Sequence, residues 1–403
     1  MEIKKLAIIT PGFVPVPAVK GGAIEQLIEY FIDGNEIVHK YDIDLFTIND
    51  KLLDNKIYKY TNLIKIDNKQ QEFKWHLIYG VKNKVSSFLH RGTRYSYVRD
   101  KIINSYKKNY YDAVLIENNM NLYKELYPKL TNEKIYFHLH NNVDCGDLDK
   151  TKEKTDFILK TADKIFVVSN YLKERLVKIN FSAKNKITIV YNGLISKNFK
   201  PVSQNEKINI KNELGINKNK TVFTFVGRLS KDKGIDKFIQ AIQLLKNEES
   251  IAYLIVGNNF FGSNVEDKYI TRLKKLSEGV KNKIYFTGYI PNEQMYKIYS
   301  ISDCIVIPTQ VEETFGMVAL EAMAMQVPVI ASNSGGLPEV LTAKCSFFIN
   351  RNDAFVKNLS NKILVLASNN KLRKSMGMEG IKRSKEFPQS EIEYFNLLSS
   401  KIN

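Results

Sequence analysis

Two carboxylates eight positions apart, Glu313 and Glu321, mark the part of the sequence best suited to chemistry. The stretch TQVEETFGMVALEAMAMQ, 309–326, places Glu313 in a polar turn, Gly316 at the start of a predicted helix, and Glu321 deeper in that helix. The first N–H groups of a helix lack internal partners and carry the positive end of its dipole, so those of Gly316, Met317 and Val318 suit a diphosphate. The pattern predicts a site for a charged, hydroxyl-rich ligand, a nucleotide sugar.

Glu321 is expected to bind the ribose of that ligand. With a rise of about 1.5 Å per residue, it lies roughly 7–8 Å along the helix from Gly316. Glu313 stays at the mouth, beside a bound sugar. The alternative is that both are ordinary solvated acids, but Ala319, Leu320 and Ala322 surround Glu321 with apolar neighbours and favour a functional group.

The elements that must position these residues alternate between strand-like and helical patterns. Short apolar runs such as KLAIIT, 5–10, and AVLIE, 113–117, are separated by amphipathic stretches, which predicts βαβ units and parallel sheets. Because 403 residues exceed one ordinary core, we expect two Rossmann-like domains of class α/β that face each other across a cleft. The predicted segments are a first Rossmann-like domain 1–200, a linker 201–218, a second Rossmann-like domain 219–385 and a C-terminal helix 386–403.

The composition argues for a reducing compartment and against disulfides, a zinc site and a membrane span. Cys145, Cys304 and Cys345 form no C-x-x-C pair, which argues against disulfides and zinc and favours a reducing compartment. The N-terminal LAII is too short for a signal-peptide core, and no apolar run reaches the ~20 residues of a membrane span. We expect a cytoplasmic protein, peripheral on the inner face of the cell membrane.

The membrane expectation comes from residues 61–110. This segment holds eleven basic and three acidic side chains, a net charge of +8 within a total of +17. Aromatic and aliphatic residues interleave with the charge, including Trp75, Tyr79 and Tyr97, a mixture suited to anionic lipid headgroups. Two alternatives stay open: a Lys-rich genome, and nucleic-acid binding, which is disfavoured because no nucleic-acid-binding motif accompanies the charge.

The segment around Glu313 and Glu321 resembles the E-x7-E signature of glycosyltransferase family 4, retaining enzymes with the GT-B fold. The flanking sequences FVGRLSKDKGIDKFIQAI, 225–242, IAYLIVGN, 251–258, and SGGLPEV, 334–340, occur in the order that this family uses. Weaker marks such as GGAIEQL, 21–27, and YFHLHNN, 136–142, extend the resemblance over nearly the whole chain. The resemblance implies a retaining hexosyltransferase that uses a nucleoside-diphosphate sugar and a saccharide acceptor, expected to be lipid-linked. It also implies that the domain 1–200 binds the acceptor, that the domain 219–385 binds the nucleotide sugar, and that the C-terminal helix 386–403 packs on the first domain.

Catalytic roles fall on four residues. Arg228 and Lys233 follow a strand of the second domain, where ligands of open α/β sheets bind, and the resemblance assigns them to the donor diphosphate. Glu313 orients sugar hydroxyls, and His140 lies against the donor sugar in the family. His138 and His140 share a strand face, but H-x-H lacks a third ligand nearby, so we expect no metal cofactor. A P-loop is excluded because its pattern is absent.

Donor binding completes the expected site. Backbone groups after one strand would hold the nucleobase, which leaves uridine and guanosine open, and we favour uridine. The SGGLPE loop, 334–339, is expected to add backbone N–H groups near the phosphate. The full set of predicted donor-binding residues is Gly21, Gly22, Asn192, Gly227, Tyr289, Ile290, Thr314, Phe315, Gly316, Met317, Val318 and Glu321.

Two other functions are compatible with this architecture. A sugar-nucleotide epimerase would need acid and base carboxylates and no acceptor, and the context of Glu313 favours transfer. A catalytically inactive scaffold that binds another glycosyltransferase would be expected to lack Glu313, Arg228 or Lys233, and all three are present.

Overall fold

A computed structural model describes residues 3–69, 72–88, 96–143, 148–258 and 268–402. The chain divides into two compact units, Met1–Tyr191 with Glu391–Asn403, and Asn192–Ser390. The sequence placed the first boundary at 200 and the second at 386. The structure moves both because the chain leaves the first unit directly after its last strand and returns with its last helix.

The first unit is built on a seven-stranded parallel sheet of order β3-β2-β1-β4-β5-β6-β7. Its central strands are buried apolar runs, as expected where helices cover both faces of a sheet. The strands are β1 (Lys4–Ile9), β2 (Tyr41–Ile48), β3 (Thr61–Ile66), β4 (Ala113–Glu117), β5 (Lys134–Leu139), β6 (Lys164–Val167) and β7 (Ile187–Ile189). The helices are α1 (Ala23–Val38), α2 (Phe73–Phe88), α3 (Tyr97–Ser105), α4 (Met120–Leu126), α5 (Leu148–Thr161) and α6 (Asn170–Ile179).

The second unit repeats this plan with a six-stranded parallel sheet of order β10-β9-β8-β11-β12-β13. Aromatic side chains such as Phe223, Phe238 and Tyr253 fill its core. The strands are β8 (Thr221–Val226), β9 (Ile251–Val256), β10 (Ile284–Gly288), β11 (Cys304–Ile307), β12 (Val329–Ser332) and β13 (Ser346–Ile349). The helices are α7 (Gln204–Glu213), α8 (Ile235–Leu244), α9 (Lys268–Leu276), α10 (Met295–Ile301), α11 (Met317–Ala324), α12 (Leu337–Val340), α13 (Phe355–Ser368) and α14 (Asn370–Ser384).

The segment 201–218, predicted as a linker, contains α7. Ser203 caps this helix by accepting a hydrogen bond from the Glu206 N–H, and Ile210 is buried. The Ser203 N-cap and the burial of Ile210 help to hold this polar helix against the second unit. The polar composition that suggested a linker is the solvated face of α7.

The last helix, α15 (Glu391–Ser399), belongs to the first unit. Its Phe395 ring lies 5.0 Å from that of Phe31 in α1. The Lys40 ammonium donates to the Ser399 carbonyl at 2.8 Å, and a lysine at the C-terminal end of a helix is favourable for the helix dipole. In the described part of the chain, no helix combines the length and apolarity needed to cross a membrane.

Candidate active site

The strand order of the second unit creates a crevice between β8 and β11. The chain leaves β8 toward β9 on one side and leaves β11 toward β12 on the other, so the loops after these adjacent strands diverge. Ligands of open α/β sheets bind at such a switch point, beyond the carboxyl ends of the strands. The two loops, 227–234 and 308–316, carry Arg228, Lys233 and Glu313.

Lys233 and Glu313 form an ion pair across this crevice. The Lys233 Nζ lies 2.8 Å from Glu313 Oε2 and 3.1 Å from Oε1, and the two side chains are 27% and 18% exposed. The backbones are joined as well, since the Gln310 N–H donates to the Asp232 carbonyl at 2.7 Å. The structure therefore brings two of the predicted catalytic residues together in a pocket that water still reaches.

Arg228 lies on the same loop but outside that pair. Its guanidinium is 3.5 Å from the Asp232 carboxylate, a long contact, and the side chain is 47% exposed. A surface ion pair of this kind contributes little to stability, so the guanidinium fork is accessible to an incoming anion. Gly227 precedes it and donates its N–H to the Val256 carbonyl, which fixes the start of the loop.

A second set of contacts fixes the Glu313 loop from the other side. Arg351 donates to the Gln310 carbonyl at 2.9 Å and also pairs with Glu312. The Gly335 N–H donates to Glu312 Oε2 at 2.6 Å, and the Gly336 N–H donates to the Glu313 carbonyl at 2.7 Å. The prediction that the SGGLPE loop offers free N–H groups to a phosphate is therefore wrong for these two glycines. Their donors hold the Glu313 loop in place.

Gly316 begins α11 in a conformation that other residues rarely adopt. Its φ is 102°, and a Cβ there would lie 2.5 Å from Leu337 Cδ2. As at any helix start, the first N–H groups, here those of Met317 and Val318, lack intrahelical acceptors. Phe315, predicted to bind the donor, has its side chain buried against Phe387 with ring centroids 5.7 Å apart. Phe315 can therefore contact a ligand through its backbone, as can its half-buried neighbour Thr314.

Glu321, the residue predicted to bind the ribose, is almost fully buried. It is 8% exposed, and the fully buried Tyr299 hydroxyl of α10 donates to its Oε2 at 2.5 Å. Burial raises the pKa of Glu321 despite this hydrogen bond, and burial next to Glu321 raises the pKa of Tyr299 well above its usual range. The sequence missed Tyr299, which fixes one carboxylate oxygen of Glu321.

A cavity of about 190 Å³, open to solvent, lies at the carboxyl ends of β8, β9 and β10. Its lining combines apolar surface, polar groups and one cation, and includes Leu229, Asn258, Lys274, Phe286, Thr287 and Gly288. The predicted nucleobase residues Tyr289 and Ile290 follow directly after Gly288 and are half-buried. This combination suits a flat heteroaromatic ring with polar edges.

In the first unit, three buried titratable groups meet at the ends of β4 and β5. Glu117 pairs in register with His138, whose Nδ1 lies 3.3 Å from Glu117 Oε1, while His140 Nε2 lies 2.8 Å from Oε2. The imidazole centroids of His138 and His140 are 4.0 Å apart, which confirms that both rings lie on one face of the strand.

Glu117 contradicts the expectation that His138 and His140 have no third metal ligand nearby. We expected the H-x-H pair to lack a third ligand nearby, yet Glu117 places a carboxylate within 4.8 Å of both imidazoles. The expectation failed because Glu117 is 21 residues from His138 in sequence and reaches it through the pairing of β4 with β5. The three atoms could coordinate a divalent cation or form a hydrogen-bonded cluster.

Gly21 and Gly22 lie at the start of α1, as predicted, but a carboxylate already lies there. A Cβ on Gly22 would be 2.1 Å from Glu25 Oε2, so the glycine leaves room for the Glu25 side chain. Burial raises the pKa of Glu25 to about 7, and the charge of Glu117 adds to this effect. Glu25 was not predicted, although its position in the first turn of α1 was a signal for N-terminal capping.

Asn192 opens the second unit and is 5% exposed. Its side-chain Oδ1 is buried and has no hydrogen-bond partner in the part of the chain that the structure describes. A buried polar atom without a partner is uncommon and costs free energy. The side-chain Oδ1 of Asn192, a predicted site residue, can therefore accept a hydrogen bond from a ligand or a water.

Helix α2 has an inner and an outer face within the basic segment 61–110. The ring of Trp75 packs 4.9 Å from Tyr97, and Tyr79 donates to Asp100 at 2.6 Å, so these three residues face the protein rather than a lipid surface. Lys82 belongs with them, since its Nζ lies 3.5 Å from Asp100 Oδ2. The opposite face of α2 is solvent-exposed and carries Lys74, Leu77, Ile78, Val81 and Lys84. We call these five residues the α2 outer face. Arg91, Arg94 and Cys145 lie outside the described residues.

Comparisons with known proteins agree with this arrangement. Residues 206–383 match the model of the family described as glycosyl transferases group 1. The chain is 27% identical over 379 residues to spore coat protein SA of Bacillus subtilis (strain 168), covering 93% of this chain and 92% of that protein. It is 30% identical over 248 residues to the lipopolysaccharide 1,2-N-acetylglucosaminetransferase of Salmonella typhimurium (strain LT2), covering 60% and 59% of the two chains.

Among solved structures, that of Anabaena Alr3699/HepE in complex with UDP-glucose superposes with a TM-score of 0.75 at 16% identity, over 99% of each chain. This likeness shows the fold. The two Rossmann-like units have the GT-B fold, and residues 206–383, within the second unit, match the family model of glycosyl transferases group 1.

Proposed function

We propose that this protein is a retaining glycosyltransferase that moves a hexose from a UDP-sugar to a saccharide acceptor. The observation that carries the proposal is the Lys233–Glu313 ion pair at the switch point of the second sheet, within the segment 206–383 that matches the family model. An ammonium and a carboxylate side by side fit the two halves of the donor: a diphosphate, which is anionic, and a sugar, whose hydroxyls donate hydrogen bonds.

The reaction requires positive groups next to the leaving diphosphate. Negative charge develops on it as the glycosidic bond breaks, and fixed positive groups stabilise that charge without reorganising. Lys233 and the accessible Arg228 supply two cations, and the N-terminus of α11 at Gly316 supplies a helix dipole. We propose that these groups replace a metal ion in the reaction, and that Glu313 accepts hydrogen bonds from the sugar.

The nucleoside would extend from the diphosphate toward the cavity at β8, β9 and β10. Phe286 offers a ring contact to the base, and the polar Asn258 and Thr287 can bond its edges. Glu321 is prepared for a ribose because Tyr299 fixes one of its oxygens. Uridine is our choice of base, supported by a solved structure of this fold in complex with UDP-glucose.

We further propose that the acceptor is lipid-linked and that the α2 outer face contacts an anionic membrane. Leu77 and Val81 are 50% and 59% exposed, which is unusual for aliphatic side chains at helix centres. Lys74 and Lys84 flank them, and apolar side chains flanked by lysines suit the headgroup layer. The similarity to a lipopolysaccharide-modifying transferase supports a saccharide acceptor.

The proposal is tested by offering the purified chain a panel of UDP- and GDP-sugars in EDTA and measuring nucleotide release with and without saccharide acceptors. We expect release from a UDP-sugar, and NMR of the product should show the anomeric configuration of the donor. Lys233→Ala and Arg228→Ala should each lower the rate by about 10²–10³, as for other preorganised charge clamps. Lys357→Ala, an exposed lysine on α13, is the control. Inversion, or unchanged rates in both site variants, would contradict the proposal.

A further inference from the structure

Glu312 and Glu313 are adjacent acids in the loop after β11, but they have separate partners. Glu313 contacts the Lys233 ammonium through both carboxylate oxygens. Glu312 pairs with Arg351 through Oε1 and accepts the Gly335 N–H through Oε2 at 2.6 Å. Both oxygens of Glu312 are therefore engaged within the protein, while Glu313 is the acid beside the cation of the crevice.

Arg351 follows β13 and holds the Glu313 loop at two points. Its Nη1 donates to the Gln310 carbonyl at 2.9 Å, and its Nη2 bonds the Glu312 carboxylate. A guanidinium presents its N–H groups in a rigid planar fork, so two acceptors bound by one fork are fixed relative to each other. Arg351 therefore fixes the segment of chain that leads to Glu313.

The main chain of Glu313 is held by the loop after β12. The buried Ser334 hydroxyl donates to the Val311 carbonyl at 2.6 Å and accepts from the Glu313 N–H at 3.2 Å. The Gly336 N–H donates to the Glu313 carbonyl at 2.7 Å. A Cβ on Gly335 would lie 2.0 Å from that carbonyl oxygen, so the two loops touch where a glycine leaves room. The direction of the Glu313 side chain thus depends on these loops staying together.

The Lys233 loop is attached by a different contact. The Gln310 N–H donates to the Asp232 carbonyl at 2.7 Å, and this bond does not involve the guanidinium of Arg351. Removing that guanidinium would therefore loosen Glu313 and leave Lys233 in place.

We propose that Arg351 is a positioning residue: through Glu312 it holds Glu313 where that carboxylate can accept hydrogen bonds from the donor sugar. The inference rests on the proposed function for the identity of the ligand, while the positioning is a property of the free protein. Arg351 then controls turnover without contributing to the affinity for the diphosphate, and Glu312 acts through its neighbour.

Hydrogen exchange measured by mass spectrometry tests the positioning without a substrate. The N–H groups of Glu313 and Gly335 are hydrogen-bonded in the wild type and should exchange slowly. In Arg351→Ala, peptides that cover 310–316 and 333–337 should exchange about tenfold faster, as expected for the loss of a charge-assisted hydrogen bond, while peptides from β8 and β9 stay unchanged. Arg351→Lys, which keeps the charge without the fork, should lie between the two. Unchanged exchange in Arg351→Ala would overturn the inference whatever the enzyme transfers.

Kinetics distinguish positioning from direct contact with the donor. Arg351→Ala should lower kcat by about 10- to 100-fold, since a displacement of about 1 Å can cost that much, and Arg351→Lys should recover part of the rate. The affinity of Arg351→Ala for UDP, titrated in EDTA, should not fall, in contrast to that of Lys233→Ala. Arg373→Ala is the matched control. Arg373 is a partly buried arginine of the same unit that donates to the Ala367 carbonyl at 3.0 Å and lies 3.6 Å from Asp303, at the amino end of β11. It should leave kcat and the exchange of the Glu313 loop unchanged.

A double-mutant cycle identifies the residue through which Arg351 acts. In the Glu313→Gln background, Arg351→Ala should change kcat by less than about twofold, because the carboxylate that it positions is already gone. Glu312→Ala should reproduce the loss of Arg351→Ala, and the two together should cost no more than either alone. A loss that multiplies with that of Glu313→Gln, or weaker UDP binding in Arg351→Ala, would overturn the inference. A wild type that transfers nothing would contradict the proposed function, and the hydrogen-exchange comparison would still decide the positioning.

Discussion

Lys233 and Glu313 are 80 residues apart in sequence, yet their side chains form a 2.8 Å ion pair that joins the loops after two adjacent strands. In the free protein each group therefore satisfies the other. A nucleotide sugar would separate them, giving the ammonium a phosphate and the carboxylate a sugar hydroxyl. The pair thus keeps both groups in place before the donor arrives.

Glu313→Gln should bind UDP more tightly and transfer more slowly. The substitution removes a competing anion from Lys233 and a negative charge from the neighbourhood of the diphosphate, worth about 1 kcal/mol at a partly solvated site, or roughly fivefold in affinity. Turnover should fall because the sugar loses its acceptor. Calorimetric titration with UDP and steady-state kinetics provide the two readouts, with Glu213→Gln on α7 as control. Weaker UDP binding in Glu313→Gln would count against the competition.

The site illustrates what the sequence can and cannot predict. The bounds of β4 were predictable because its short apolar run ends at a polar residue, and the loops after β8 and β11 were predictable because their residue types match a known signature. Edge strand β3 was missed because Asn62 and Lys65 interrupt its apolar pattern, as is common where one side of a strand is solvated.

Partners that come from other strands were also missed. Glu117 meets His138 through strand pairing, and Arg351 reaches the Glu313 loop from 41 residues away. Neither contact leaves a local pattern, because tertiary packing decides which side chains meet. The same holds for Tyr299 and Glu321, where the sequence showed an acid in apolar surroundings and the structure supplied the hydroxyl that bonds it.

The hydroxyl of Tyr299 should contribute measurably to the stability of the second unit. Tyr299→Phe leaves Glu321 Oε2 buried without its donor, which costs about 1–3 kcal/mol. Tyr253→Phe is the matched control, because the Tyr253 hydroxyl is equally buried and has no partner among the described residues. Urea unfolding followed by circular dichroism should show a loss for the first variant and none for the second. Equal midpoints would mean that the short hydrogen bond contributes nothing.

Glu25 should make the first unit less stable as pH rises. Its pKa is about 7 in the folded chain against an ordinary value of 4.5, so the folded state binds the proton more tightly. Stability is then highest below the unfolded value and falls between about pH 4.5 and 7, by up to about 3 kcal/mol. Glu25→Gln should remove this loss, raising the unfolding midpoint at pH 8 and changing it little at pH 4.

The single tryptophan of the chain, Trp75, lies in α2 of the first unit, so its fluorescence reports on that unit. Glu72→Gln, an exposed acid beside α2, serves as the control for loss of a surface charge. A midpoint at pH 8 that is the same for Glu25→Gln and the wild type would show that the buried carboxyl carries no such penalty.

The α2 outer face should bind vesicles that contain anionic lipid. Each lysine near such a surface contributes about 1 kcal/mol, so Lys74→Glu with Lys84→Glu should weaken binding strongly. Leu77→Ser with Val81→Ser should weaken binding without changing the charge. The control reverses two exposed lysines of the second unit, Lys357 and Lys374. Binding should weaken with salt, because the screening length is about 10 Å at 0.1 M.

Vesicle binding of all these variants is measured by co-sedimentation at low salt. The account predicts binding for the wild type and for the control, and loss for both α2 variants. If the control loses binding as much as the lysine variant does, the attraction follows the net charge of +17 and has no dedicated face.

Titration of the purified chain with UDP in the presence of EDTA tests the central claim most directly. We expect UDP to bind without a divalent cation, and Lys233→Ala to weaken binding about tenfold, the loss of one partly solvated charge contact. Lys357→Ala should bind like the wild type. If UDP binds only when Mg²⁺ or Mn²⁺ is supplied, or binds Lys233→Ala with unchanged affinity, the crevice beside the Lys233–Glu313 pair is not the diphosphate site.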